Sequence, residues 1–212
     1  MLVNAFVSIS VSNFTEILST YSKFLVMRHP LSRLLSAYTD KIGSPNEHSF
    51  ERIRRYIFKT MRPNASAEEI ANGIPTFKEF VSMILTKDWK DSGDTHWGPF
   101  DKICQPCSIH YDHILKLESM ENDMMPVLDL LASKNKPSEY LASLVAHRSN
   151  VSPKANSSGN PERPRRKGRY VIEEMKTLTL DQRREVVKRF EADMKLYGYG
   201  FDVETCEASV GV

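Results

Sequence analysis

The stretch that most restricts the fold is Lys23-Phe24-Leu25-Val26-Met27-Arg28, followed at once by His29-Pro30. Four consecutive apolar residues between polar ends read as a short strand, apolar on both faces and therefore buried. Pro30 suits the first position of a helix, where its missing N–H leaves no bond unmade. Leu31, Leu34, Leu35, Tyr38 and Ile42 then recur at helical spacing on one face, and Gly43 is expected to end the helix. A strand that turns directly into a helix is the unit from which α/β folds build phosphate sites.

Helical signals dominate the chain beyond Gly43. Ser44-Pro45-Asn46-Glu47 has the form of a capping box ahead of Phe50, Ile53 and Ile57, and Thr76-Phe77-Lys78-Glu79 repeats it ahead of Phe80, Val81, Ile84 and Leu85. Between them, 62–75 is rich in turn-formers. Residues 88–107 carry two tryptophans, two prolines and two glycines without periodicity, a length of loop usually kept for function. Tyr111 to Glu118 alternates enough for a second strand, and Ser119 is placed to cap a helix through Met125, Leu128 and Leu131. A short helix is expected over 138–146, and one helix from Thr179 to Tyr197 with Val186, Val187, Phe190 and Met194 inward.

A chain of 212 residues fits one domain, and 41% apolar with 26% charged residues is ordinary globular composition. We divide it into an atypical N-terminal segment, 1–22, and a domain, 23–212. No run approaches the ~20 apolar residues of a membrane helix. Met1 to Val11 lacks the positive flank of a signal peptide. The net charge of +2 names no partner, but residues 147–169 hold seven lysines or arginines against one acid, together with Ser, Asn and Pro. That composition reads as a mobile basic loop suited to a polyanion. Interleaved aromatics are missing, which argues against nucleic acid. Four N-x-S/T sequons, at Asn13, Asn64, Asn150 and Asn156, hint at a secretory lumen.

Residues 24–38, from Phe24 through Arg28, Pro30, Arg33, Leu34, Ser36, Ala37 and Tyr38, resemble the R-x-P-x-x-R-L-x-S-A-Y signature of Golgi carbohydrate sulfotransferases. Asp94-Thr95-His96-Trp97, Cys104-Gln105-Pro106-Cys107, Tyr111-Asp112 and Leu117-Glu118 are similar to that family's next motifs in order. Phe190-Glu191-Ala192-Asp193, ending in Tyr197-Gly198-Tyr199, is similar to its closing one. The nearest groups are those sulfating chondroitin, dermatan and related chains.

The resemblance implies an α/β, P-loop-like sulfotransferase fold with a central parallel sheet flanked by helices. It implies 3'-phosphoadenosine 5'-phosphosulfate (PAPS) as donor, a glycosaminoglycan or glycoprotein glycan as acceptor, and a lumenal Golgi protein held by an N-terminal anchor. Arg28 and Ser36 would bind the donor's 3'-phosphate, the arginine through its planar donors. Arg33 stays open between binding and a structural role. An attacking hydroxyl needs a base, for which His96 is the candidate and Glu118 the second. The family's earlier strand and lysine-bearing phosphosulfate loop have no match before Lys23, so an N-terminally truncated, poorly active chain is expected, with an inactive glycan- or partner-binding remnant as the alternative. Cys104 and Cys107 are expected to form a disulfide in the lumen. A zinc site using His96, both cysteines and His110 or His113 is the rival reading, but no metal is expected. Cys206 has no evident partner.

Overall fold

The computed structural model describes residues 11–45, 47–86, 94–134 and 167–210. The chain forms two compact units, one from residues 1–27 and 104–151, the other from 28–103 and 152–212.

The first unit holds a helix, α1 (Val11–Thr20), and a parallel pair of strands, β1 (Phe24–Met27) and β2 (His113–Lys116). In register, Phe24 faces His113 and Met27 faces Lys116. Asp112 clamps the start of the sheet. Its carboxylate accepts the Lys23 backbone N–H at 2.7 Å and pairs with the Lys23 ammonium at 3.1 Å. These bonds hold the Asp112 carboxyl below the usual carboxylate range, the backbone N–H contributing most. The strand expectation holds in place but not in burial: Leu25 and Met27 are buried, whereas Phe24 is 53% and Val26 43% exposed. Among the described residues β1 bonds to β2 alone, and its burial alternates because successive side chains point to opposite faces of the sheet, one face being covered and the other open to water. After a 3-10 turn at Leu117–Ser119 come α7 (Met120–Asp123) and α8 (Met125–Lys134), numbered after the second unit's α2–α6. Ser119 does not cap α7 through the backbone as expected. Its hydroxyl donates instead to Asp123, which also accepts the Lys116 N–H.

The second unit contains α2 (Pro30–Ala37), α3 (Glu51–Met61), α4 (Ala67–Asn72), α5 (Phe77–Ile84), α6 (Phe100–Cys104), α9 (Lys167–Lys176), α10 (Leu180–Arg189) and α11 (Glu191–Tyr197). A hairpin of β3 (Tyr199–Phe201) and β4 (Ala208–Val210) closes it. Leu31, Leu34, Ile57, Phe80, Trp97 and Phe190 are almost entirely buried together with their neighbours, which gives this unit its apolar core. The Thr76 capping box forms as expected, and Thr179 with Gln182 forms another.

Four expectations change here. The α2 helix passes into a π-helical turn over Tyr38–Ile42 before Gly43, whose φ of −78° is not left-handed. The helix after Ser44 starts later, with a 3-10 turn at His48–Phe50 capped by the Glu47 carboxylate, which accepts the Ser49 N–H. The single helix over 179–197 breaks at Phe190, where φ is −105° and ψ 14°. Lys167, Gly168 and Arg169, placed in the basic loop, begin α9. The remainder of that loop and the helix expected over 138–146 lie outside the described residues.

Candidate functional site

Arg28 is the first residue after β1, half-buried, with α2 beginning two residues later. The turn that carries it is held by His29, which is buried and bonded through both ring nitrogens. The Leu31 N–H donates to His29 Nδ1 at 3.3 Å, so Nδ1 is the lone-pair nitrogen. Nε2–H therefore donates to the Gly200 carbonyl at 3.0 Å, and the ring meets Tyr199 edge-on at 5.2 Å. Pro30 fixes the next φ. His29 looked in the sequence like a mere flank to proline, because its partner lies in β3. Gly198 makes that partner possible: at φ 64° it ends α11 in the left-handed conformation that favours glycine, and the chain turns straight into β3. Ser36 lies two turns along α2 from Arg28, exposed and off the buried face formed by Leu31, Leu34 and Leu35.

Arg33, left open by the sequence, is committed to structure. Its guanidinium donates to the Gly98 carbonyl, reaches the His96 carbonyl at 3.4 Å, and lies over the Phe100 ring at 4.0 Å. It thereby fastens the segment 94–100 to α2.

That segment has little regular structure of its own. The Asp94 carbonyl accepts N–H bonds from Trp97 at 3.3 Å and Gly98 at 2.6 Å. Asp94 Oδ1 accepts the His96 backbone N–H at 2.7 Å and lies 2.9 Å from His96 Nδ1. Trp97 is the plug, buried with its ring edge-on to Phe80 at 5.2 Å. His96 stays 42% exposed and rests edge-on against Phe50 at 5.3 Å. Among the described residues its Nε2 has no hydrogen-bond partner.

The far end is held by Asp193, which is fully buried. Its two carboxylate oxygens accept the Phe100 and Asp101 N–H groups at 2.7 and 2.8 Å, an N-terminal cap for α6 supplied from 92 residues away. Burial pushes the Asp193 carboxyl above its ordinary range, against the pull of those two bonds and of Arg33. No local cap precedes Phe100, which is why α6 could not be read from the sequence around it.

The remaining candidates sit elsewhere. Glu118 is exposed in the 3-10 turn after β2, in the first unit. Cys104 is half-buried, Cys107 exposed and Cys206 buried, all as free thiols, with Gln105 between the first two at φ 48°. The Tyr111 hydroxyl donates to the Cys104 carbonyl at 2.8 Å. Among the described residues, no three of His, Cys, Asp and Glu gather as a metal site requires. Asn64 lies exposed in the turn before α4.

The motif residues follow one another in order along the chain. The sequence model of the sulfotransferase family matches residues 2–200. The chain belongs to that family. Carbohydrate sulfotransferase 9 of Homo sapiens is 37% identical over 117 residues, 55% of this chain and 26% of the relative. Carbohydrate sulfotransferase 8 of Homo sapiens is 39% identical over 115 residues, 54% and 27% of the two chains. Carbohydrate sulfotransferase 11 of Mus musculus is 34% identical over 125 residues, 57% and 36%. This sulfotransferase chain therefore spans between a quarter and two-fifths of the curated relatives it matches. No solved structure matches. No helix among the described residues is long and apolar enough to cross a membrane.

Proposed function

We propose that this protein is a carbohydrate sulfotransferase that moves the sulfuryl group of PAPS to a hydroxyl of a glycan, with N-acetylgalactosamine-bearing chains of chondroitin or dermatan type as acceptors. The observation that carries this reading is the locked turn at Arg28, inside the span that matches the family. His29 and Pro30 hold the backbone on the helix side of Arg28, so its guanidinium can meet a phosphate dianion without first ordering the turn. Ser36 adds a neutral hydroxyl donor from α2. The turn and α2 are read as one part of a P-loop-like donor site.

In the transfer, the acceptor oxygen forms a bond to sulfur as the bond from sulfur to the donor's 5'-phosphate oxygen breaks. The hydroxyl proton passes to His96 Nε2, and adenosine 3',5'-bisphosphate leaves. Positioning and charge stabilisation dominate such transfers, so rigid placement of Arg28 and His96 matters more than any covalent step by the protein. The Golgi lumen is the proposed compartment, and oxidation there would join Cys104 to Cys107.

Replacing Arg28 by alanine should weaken adenosine 3',5'-bisphosphate by about 1.5–3 kcal/mol, the value of a charged hydrogen bond, as read by calorimetry. Adenosine 5'-phosphosulfate, which lacks the 3'-phosphate, should be unaffected, and equal losses for both ligands would sink the assignment. Transfer from PAPS to desulfated chondroitin tests the activity itself. Glycan binding without transfer would mark a binding protein instead. The same secreted preparation, kept unreduced, should show Cys104 and Cys107 in one oxidised peptide by mass spectrometry.

A further inference from the structure

We propose that Asp94 is a positioning residue for His96, holding the imidazole in the tautomer that leaves Nε2 ready to take the acceptor's proton. The inference rests on the reading of His96 as the base and assigns the group that makes it one.

The geometry separates two roles of the same carboxylate. As a turn-former, Asp94 needs only to accept the His96 backbone N–H, and asparagine or serine would do this as well. The second contact, from Oδ1 to His96 Nδ1 at 2.9 Å, adds nothing to the turn. A carboxylate only accepts, so the proton of that bond lies on Nδ1, and the lone pair of the neutral ring lies on Nε2. Asp94 is 23% exposed and the His96 ring 42%, so the pair sits at the surface with Nε2 open to an incoming hydroxyl.

The same contact serves the charge that develops. When the acceptor oxygen bonds to sulfur and gives its proton to Nε2, the ring becomes an imidazolium bearing N–H on both nitrogens. The carboxylate at Nδ1 then faces a cation and keeps its hydrogen bond. The other elements packed on His96 do not supply that charge. Arg33 of α2 binds the His96 carbonyl and is itself positive. Phe50 presents a ring edge, and Lys41, 5.9 Å from the Phe50 ring, already pairs with Asp40 and Glu47.

Asp94→Ser tests the proposal, since serine keeps a side-chain acceptor for the turn but is too short to reach Nδ1. Nitrogen-15 NMR of the full chain reads the ring tautomer directly, with or without turnover. The expected result is a proton fixed on Nδ1 in the parent and spread over both nitrogens in Asp94→Ser, with an unchanged melting temperature. Turnover should fall about 100-fold, at the lower end of what a general base contributes. The dissociation constant for adenosine 3',5'-bisphosphate should stay within about twofold, because the loss concerns proton transfer and not uniform binding. A tautomer unchanged by Asp94→Ser would overturn the proposal whatever the activity. Full turnover by His96→Gln would overturn the reading of His96 as base, even with the tautomer shift observed.

Discussion

The turn that carries Arg28 and the segment that carries His96 lie in the same unit and are stabilised in different ways. The first grows out of a strand, passes through His29-Pro30 and enters a helix with a continuous apolar face. Much of its order is local, and a long-range bond from His29 to the Gly200 carbonyl completes it. The second is plugged by the buried Trp97 and depends at both ends on side chains from other elements: Arg33 at residues 96 and 98, and Asp193 at residues 100 and 101. A proposed donor site is thus built on regular structure, and a proposed proton acceptor on a segment pinned by charged groups. Loss of its anchors should therefore cost the second region more than substitution at its own surface.

The largest effect is expected at Asp193. Asp193→Ala leaves two N–H groups of α6 without their acceptor and should cost about 3 kcal/mol in urea unfolding, two charged bonds being involved. Its pH dependence sharpens the point. The folded-state pKa is raised by burial, so over the window between the unfolded and folded values the native state holds a proton that the unfolded chain has released. Stability from this group therefore falls as pH rises through that window and is flat above it. Asp193→Asn should remove that slope. If the slope survives in Asp193→Asn, or if Asp193→Ala costs no more than a surface change, the segment has other anchors and the contrast fails.

A smaller loss is expected on the Arg28 side. Gly198→Ala puts a Cβ where φ is 64°, which should cost about 1–2 kcal/mol and loosen the β3 carbonyl that holds His29. The smallest effect has the opposite sign. Gly43 has φ −78°, and a Cβ there would approach nothing closer than 3.4 Å, so Gly43→Ala should stabilise by about 0.4–1 kcal/mol. Melting curves of the two alanine variants, compared directly, decide between a glycine that the backbone requires and one that it merely carries. A loss at Gly43 equal to that at Gly198 would contradict this assignment.

The positions of β1 and α2, the capping box at Thr76, the helix start at Thr179, and the helical face of Leu31, Leu34 and Leu35 were all legible in the residues, because short-range sterics and hydrogen bonding decide them. Arg28, Ser36 and His96 were singled out through motif order, and their roles belong to the proposed function. The break at Phe190 was not legible, since neither proline nor glycine stands there and both halves keep helical spacing. Nor was α6, whose cap comes from Asp193.

Arg33 shows where the boundary runs. Its sequence setting, one turn into a helix beside a phosphate motif, fits a ligand contact and a structural tie equally well. Only the folded chain brings the carbonyls of His96 and Gly98 under its guanidinium. The burial of β1 has the same origin. Phe24-Leu25-Val26-Met27 determined that a strand would form, but what packs on each face of the sheet determined which of those side chains reach water. By itself the sequence determined the local elements and the chemistry on offer, because dihedral preference, capping and periodicity act within a few residues. The tertiary structure decided which charges serve as anchors, because the carbonyls and N–H groups that claim them lie up to 93 residues away.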